Sequence, residues 1–168
     1  MVKHKKYVIF IIFLATGIGI AAILYAFTNQ TYQVKQRFAS VAKWVAKDGD
    51  EPNLAAARKI QQFMSVLAET CRVKDPSSGV FREISGRETA QKAVLARNEY
   101  RSISLKFHDL EIAFPEKNMA KAITTARIAG TSGGGELYTA TYELECTLHK
   151  TDEGWVFHTI EIVELLEK

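Results

Sequence analysis

The chain has 168 residues, 47% of them hydrophobic and 24% charged, with a net charge of +3. That is enough for one globular domain plus an anchor, and too small an excess for a nucleic-acid footprint. The two cysteines, Cys71 and Cys146, are too few for a disulfide scaffold and show no zinc-ligand spacing.

The first feature is Tyr7 to Phe27, YVIFIIFLATGIGIAAILYAF, 21 residues without a charge. At the α-helical rise this run spans about 30 Å, the thickness of a hydrocarbon core. Lys3, Lys5 and Lys6 precede it, and no charge follows until Lys35. The positive-inside rule then places residues 1–6 in the cytoplasm, a signal anchor at 7–28, and a domain at 31–168 outside. A cleaved signal peptide is the alternative. Its apolar stretch would be shorter, and the best cleavage site, after Ala26, has Leu24 where a small residue belongs.

Val34, Phe38, Val41, Ala42 and Val45 recur at helical spacing and predict an amphipathic helix over 31–47. Gly49 is its candidate C-terminal cap and Asn53 the next N-cap. A second helix, to about Glu69, carries the stripe Ala56, Ile60, Phe63, Met64, Leu67 and Ala68. TCRVKDPSSGVFREI alternates on both sides of a DPSSG turn, which predicts a hairpin. Asp75 before Pro76 is ordinary turn chemistry there. Ser85 to Glu88, SGRE, fits the capping box. The third helix it opens runs to about Tyr100, with Ala90, Ala93, Val94 and Arg97 toward the inside.

Four long strands follow. Ile103, Leu105 and Phe107 share one face, and Leu110, Ile112 and Phe114 continue it only if one residue is extra near His108-Asp109, the mark of a β-bulge. MAKAITTARIAG places Ala120, Ala122, Thr124, Ala126 and Ile128 opposite Lys121, Thr125 and Arg127. GTSGGG lacks the lysine and following helix of a phosphate cradle and reads as a loop. In the next strand Tyr138, Ala140, Tyr142, Leu144, Cys146 and Leu148 form an apolar row, and Glu143 and Glu145 lie on the other. The last strand, WVFHTIEIVELL, has mixed parity, as expected in the middle of a sheet. The order is helix, helix, hairpin, helix and a four-strand meander. It predicts an α+β roll, a curved antiparallel sheet wrapped around helices.

The helix pair, SGRETAQKAV, the bulged SLKFHDLEIAF, AKAITTARIAG and the closing ELECTLHKTDEGWVFHTIEIVELL together resemble the nuclear transport factor 2-like superfamily. This cystatin-like fold includes SnoaL-like domains and ketosteroid isomerase. The resemblance covers about Val34 to Glu167 and implies a cone-shaped cavity between helices and sheet. It also implies that in the family's usual strand order Cys71 and Cys146 stand about two strand spacings apart, near 10 Å, beyond disulfide reach.

Three functions stay open. The first is a non-catalytic module anchored in a bacterial inner membrane, with its domain in the periplasm, docking a protein or a second copy through the outer sheet face. Its candidate contact residues are Arg127, Glu143, Glu145, Trp155 and Phe157. The second is a binder of a small apolar ligand, with Phe38, Phe63, Phe107, Tyr138 and Tyr142 lining the cavity. The third is a SnoaL-like isomerase or cyclase. Isomerase chemistry needs a carboxylate base and an oxyanion hole in a dry site. Tyr138, Tyr142, His108 and Asp109 are of suitable type but match no motif, so no catalytic residue is assigned. The four histidines are scattered, and neither metal nor cofactor is expected.

Overall fold

The computed structural model describes Thr16, residues 29–75 and residues 80–167. The chain forms two compact units, Met1–Gln33 and Val34–Lys168. The predicted anchor, Tyr7 to Phe27, lies outside the described residues apart from Thr16, as does the tip of the DPSSG turn. Among the described residues no helix is long and apolar enough to cross a membrane.

Helix α1 (Gln30–Val45) starts where the Asn29 side chain accepts the Tyr32 N–H at 3.1 Å. Val34, Phe38 and Val41, spaced by four and three, are its buried stripe. Burying side chains of this size is worth roughly 1.5–3 kcal/mol each. The helix ends at Val45 without help from Gly49. Lys47–Asp48 instead form a short strand, β1, and Gly49, at φ +62°, turns the chain toward the next helix. Helix α2 (Asn53–Met64) has Pro52 rather than Asn53 at its N-cap, and the Pro52 carbonyl accepts from Ala55 and Ala56. It is shorter than its apolar periodicity suggests. Leu67 and Ala68 already belong to strand β2 (Leu67–Asp75), because the Val66 carbonyl is claimed by the Phe157 N–H of the last strand at 2.8 Å.

Strand β3 (Val80–Ser85) completes the hairpin, and helix α3 (Gly86–Glu99) follows, with Ser85 Oγ accepting the Glu88 N–H at 3.2 Å. Arg97 on this helix is buried, whereas Val94 is exposed. The meander is β4 (Tyr100–Glu116), β5 (Met119–Ser132), β6 (Leu137–Thr151) and β7 (Gly154–Glu167).

All seven strands form one sheet, in the order β1-β4-β5-β6-β7-β2-β3. The meander pairs antiparallel as expected, but β2 lies parallel to β7, so the sheet is mixed. Straight, the 17 residues of β4 would reach about 55 Å. The sheet curls instead. The register of β4 slips between His108 and Glu111, where Asp109 takes φ +51°, and buried Thr124 donates its hydroxyl to the freed His108 carbonyl at 2.8 Å. The small residues Ala120, Ala122, Ala126 and Ala140 are all buried on the concave side. Arg37 of α1 donates to the Glu153 carbonyl at 2.9 Å, tying the helix to the β6–β7 turn.

Candidate functional site

The space between sheet and helices divides into a filled part and an open part. In the filled part Phe38 is 2% exposed and stands edge-on to Phe107 at 5.0 Å and to Phe157 at 5.1 Å. Trp155, Leu148, Val66, Cys71 and Cys146 close the same cluster. Its thiols are unbonded.

The open part is a cavity of about 280 Å³. The end of α1 supplies Trp44 and Val45, α2 supplies Ile60 and Phe63, and α3 supplies Ala93, Ala96 and Arg97. The sheet contributes Tyr100 and Ile103 from β4, Ile128 to Gly130 from β5, and Tyr138 from β6. Gly130 has a steric reason. A Cβ there would come within 2.8 Å of the Ser102 carbonyl and 3.1 Å of the Tyr100 ring. Tyr100 therefore lies across the glycine, 6.3 Å from the Tyr138 ring. Tyr138 and Tyr142, four apart on one face of β6, bring their hydroxyls to 3.3 Å. A shallower, more polar groove of about 510 Å³ adjoins the cavity, sharing Ile103, Ala129, Gly130 and Tyr138 with it and adding Lys47, Asp48 and Lys59.

One polar network holds the cavity's helical wall. Arg97 Nη1 donates to the carbonyls of Trp44 at 3.2 Å and Val45 at 2.9 Å, and Lys59 Nζ donates to that of Ala46 at 3.0 Å. These side chains satisfy the orphan carbonyls of α1 and place positive charge at the negative end of its dipole. A glycine cap is therefore not needed. Arg97 Nη2 also binds Glu51, whose other oxygen meets Lys59 Nζ at 2.6 Å. Burial alone would raise the Glu51 pKa, but hydrogen bonds from Lys59 and Arg97 and their charges outweigh it and hold the carboxyl below its ordinary value. Lys47 Nζ donates to the carbonyls of Arg97 at 2.6 Å and Tyr100 at 2.7 Å, fixing the α3–β4 junction.

Of the five cavity candidates, Phe63 and Tyr138 line the open part and Tyr142 is bonded to Tyr138. Phe38 and Phe107 pack against one another in the filled part instead, Phe38 within the buried core and Phe107 against it. Two outer-face candidates are corrected outright: Trp155 is 1% exposed and Phe157 3%. The register slip at His158, between Thr147 and Leu148 of the facing strand, turns the apolar residues at the start of β7 inward.

Arg127, Glu143 and Glu145 do lie on the convex face, in antiphase with buried Ala126 and Cys146. Glu145 meets Lys121 at 3.6 Å. Glu143 stands opposite Glu164, and Glu145 opposite Glu161. His108 and Asp109 are exposed at the bulge. The structure also unites two scattered histidines. The His149 and His158 rings are 4.6 Å apart, with Arg72 Nη2 3.0 Å from His158 Nε2. Burial, then the charges of His149 and Arg72, lower the His158 pKa.

Sequence reasoning placed Val45, Ile60, Phe63, Ala93 and Arg97 on inner helix faces but missed Trp44 and Ala96, and of this helical wall it named only Phe63 as a cavity residue. Trp44 and Val45 sit on the last turn of α1, and only Arg97, a charged residue on the inner side of α3, hinted at a polar group inside.

No family model matches the chain, and no curated protein matches it by sequence. Solved structures do match. The Kfla4162 protein of Kribbella flavida superposes with a TM-score of 0.66 at 8% identity, over 79% of this chain and 88% of that one. A provisionally assigned aromatic ring hydroxylase from Novosphingobium aromaticivorans gives 0.66 at 11% identity, over 83% and 93%. A provisionally assigned dehydratase of the nuclear transport factor 2-like (NTF2-like) family from Streptomyces avermitilis gives 0.61 at 12% identity, over 80% and 97%. At this level of identity the likeness defines the fold. It is the nuclear transport factor 2-like, cystatin-like α+β roll read from the sequence pattern.

Proposed function

We propose that this chain is a non-catalytic receptor for a small apolar molecule, held at the outer side of a bacterial inner membrane by its N-terminal apolar run. The observation that carries the reading is the 280 Å³ cavity, walled by Trp44, Phe63, Tyr100, Tyr138 and aliphatic side chains. An apolar cavity of about 150 Å³ takes up benzene, so this one suits a body of about two fused rings. Among its described lining residues there is no histidine and no carboxylate. A general base would have to come from Glu51, and that group is committed to two cations. This is why binding is placed ahead of isomerase or dehydratase chemistry, although several of the structural neighbours carry provisional enzyme assignments.

It is also placed ahead of docking through the convex face, because the aromatic patch that face was expected to carry is buried. The stretch Tyr7 to Phe27 supports the membrane location.

The test is calorimetric titration of the full chain, in phosphatidylcholine nanodiscs, with 2-acetylnaphthalene, beside the variant Ala93→Leu. Lipid takes up equal amounts of probe in both samples, so the difference reads the cavity. The larger side chain should lower affinity by about tenfold or more while leaving the melting temperature unchanged or higher. Equal binding by both would refute the cavity as the site. For the location, a reporter that is active only outside the cytoplasm, fused after Lys168, should be active; cytoplasmic activity would refute the orientation.

A further inference from the structure

One residue of β7 stands outside both neighbouring ladders. On the β6 side Leu148 pairs with Phe157 and Thr147 with Thr159. On the β2 side Leu67 pairs with Phe157 and Arg72 with Thr159. His158 is skipped each time, and β2 spends residues 68–71 on the span where β7 spends His158 alone. Beyond that gap, among the described residues, β2 and β7 pair only at Arg72 with Thr159, Val73 with Ile160 and Lys74 with Glu161. A parallel seam this short has few backbone hydrogen bonds, so side-chain contacts across it carry weight.

Two such contacts are present. Lys74 Nζ meets Glu161 at 2.9 Å, but both side chains are partly in water, where an ion pair is worth little. The other joins Arg72 Nη2 to His158 Nε2 at 3.0 Å and is part-buried. A guanidinium only donates, so Nε2 accepts, and the His158 ring is neutral with its proton on Nδ1. The His149 ring packs on it at 4.6 Å, tilted by 33°.

The groups facing this ring favour the neutral form. They are Arg72 from β2 and His149 from β6. Glu161, further along β7, is held by Lys74 of β2, and Glu83 of β3 stands opposite Arg72 in register, one strand further out. Burial, then the charges of His149 and Arg72, keep the His158 pKa below its ordinary 6.5.

We propose that His158 is a proton-sensitive latch on the seam between β2 and β7: the neutral ring accepts from Arg72, and the protonated ring loses that bond, faces a like charge and frees Arg72–Asp75 from the meander. As pH falls, the opened seam takes up the proton before the closed one does. The contribution of the contact is present above 6.5 and is lost as pH falls through the folded-state value.

The test follows the ring and the seam together, in the full chain in phosphatidylcholine nanodiscs. Ring 15N shifts of histidine-labelled protein, assigned with His158→Gln, should show His158 neutral and protonated on Nδ1 above about pH 7. A ring protonated on Nε2 there would overturn the proposal, since Arg72 could not donate to it. Hydrogen exchange, read by mass spectrometry and corrected for intrinsic amide rates, is then compared on the two sides of the ring's own midpoint. Exchange over Arg72–Asp75 should quicken by about tenfold for each unit by which that midpoint lies below 6.5. Strand β4, toward the opposite edge of the sheet, should keep its rate. His158→Gln offers Arg72 a side-chain carbonyl that does not titrate, so its seam should stay protected on both sides of that midpoint. Exchange that fails to quicken in β2, that quickens equally in β4, or that still quickens in His158→Gln would overturn the latch. The ring tautomer and the comparison of β2 with β4 are read in the unaltered chain, so they decide the matter even where the variant folds poorly.

Discussion

The filled and open parts of the roll share β4, β5 and β6 as their floor, yet one is solid and the other hollow. The difference lies in what stands opposite the floor. Ala120 and Ala122 share one buried cluster with the rings of Phe38 and Phe157, small groups beside large ones, which fill the space to the density of a core. Over Ile128 and Gly130 stand Ala93 and Ala96, small groups on a floor that has already given its space to Tyr100. The open part takes less from packing, with Trp44, Val45 and Phe63 only partly buried against the core. Its wall is held by a charge network, Glu51 with Arg97 and Lys59, anchored on the carbonyls of α1. One part should thus respond to lost volume, the other to lost charge.

The largest effect belongs to the filled part. Phe38→Ala removes the ring that touches both Phe107 and Phe157, and should cost about 3–5 kcal/mol in denaturant unfolding. A loss under about 1 kcal/mol would mean that the filled part is looser than its burial implies.

Next comes Glu51→Gln, which leaves Arg97 and Lys59 facing an amide. Breaking a buried pair in this way costs about 3 kcal/mol or somewhat more. Here pH separates the two parts. The folded-state pKa of Glu51 lies below its ordinary 4.5, so on acidification the unfolded chain takes up the proton first. The stabilisation is present above 4.5 and is lost as pH falls through the folded-state value. The stability difference between the wild-type chain and Glu51→Gln should therefore shrink between about pH 5 and pH 3. A difference that stays constant over that range would remove the carboxylate from the account. Phe38→Ala should show no such convergence.

How much of this was legible beforehand follows the same division. The filled part could be read from period alone. Val34, Phe38 and Val41, the alanine row of β5 and the Cys146–Leu148 row of β6 each declare one buried face. The bulge was legible because a strand's parity cannot change without an extra residue. The start of β7 was not legible. A one-residue slip at His158 decides whether Trp155 and Phe157 face in or out, and either parity leaves some isoleucine or tryptophan exposed on paper.

The wall of the cavity was legible in part. It depends on where α1 ends, and that end is fixed by Arg97 and Lys59, 51 and 13 residues away from the Ala46 carbonyl they approach. A long-range cap of this kind leaves no local signature, so Gly49 attracted the assignment.

The smallest effect on stability, and the sharpest on contrast, comes from thiols. Cys71 and Cys146 both lie in the filled part, where burial pushes their pKa values up to about 11 and about 12 from 9.0; for Cys146 the charges of Cys71 and Glu145 add to burial. Since the thiolate is the reactive form, a rise of two units leaves Cys71 with about a hundredfold less of it at a given pH below the ordinary value, and a rise of three leaves Cys146 with about a thousandfold less. Both groups favour the neutral thiol in the fold. Their contribution is fully present below 9.0 and is lost only as pH rises through the folded-state values. At about pH 8 they should thus be inert to iodoacetamide until the filled part opens. Ala93→Cys puts a third thiol on the wall of the open part, within the cavity. It should be alkylated about a hundredfold faster than Cys71 and about a thousandfold faster than Cys146, and 2-acetylnaphthalene should slow that reaction alone. Mass spectrometry of the labelled peptides reads all three sites in one sample. If Cys146 reacts as fast as the introduced thiol, the two parts are equally accessible and the contrast between them fails.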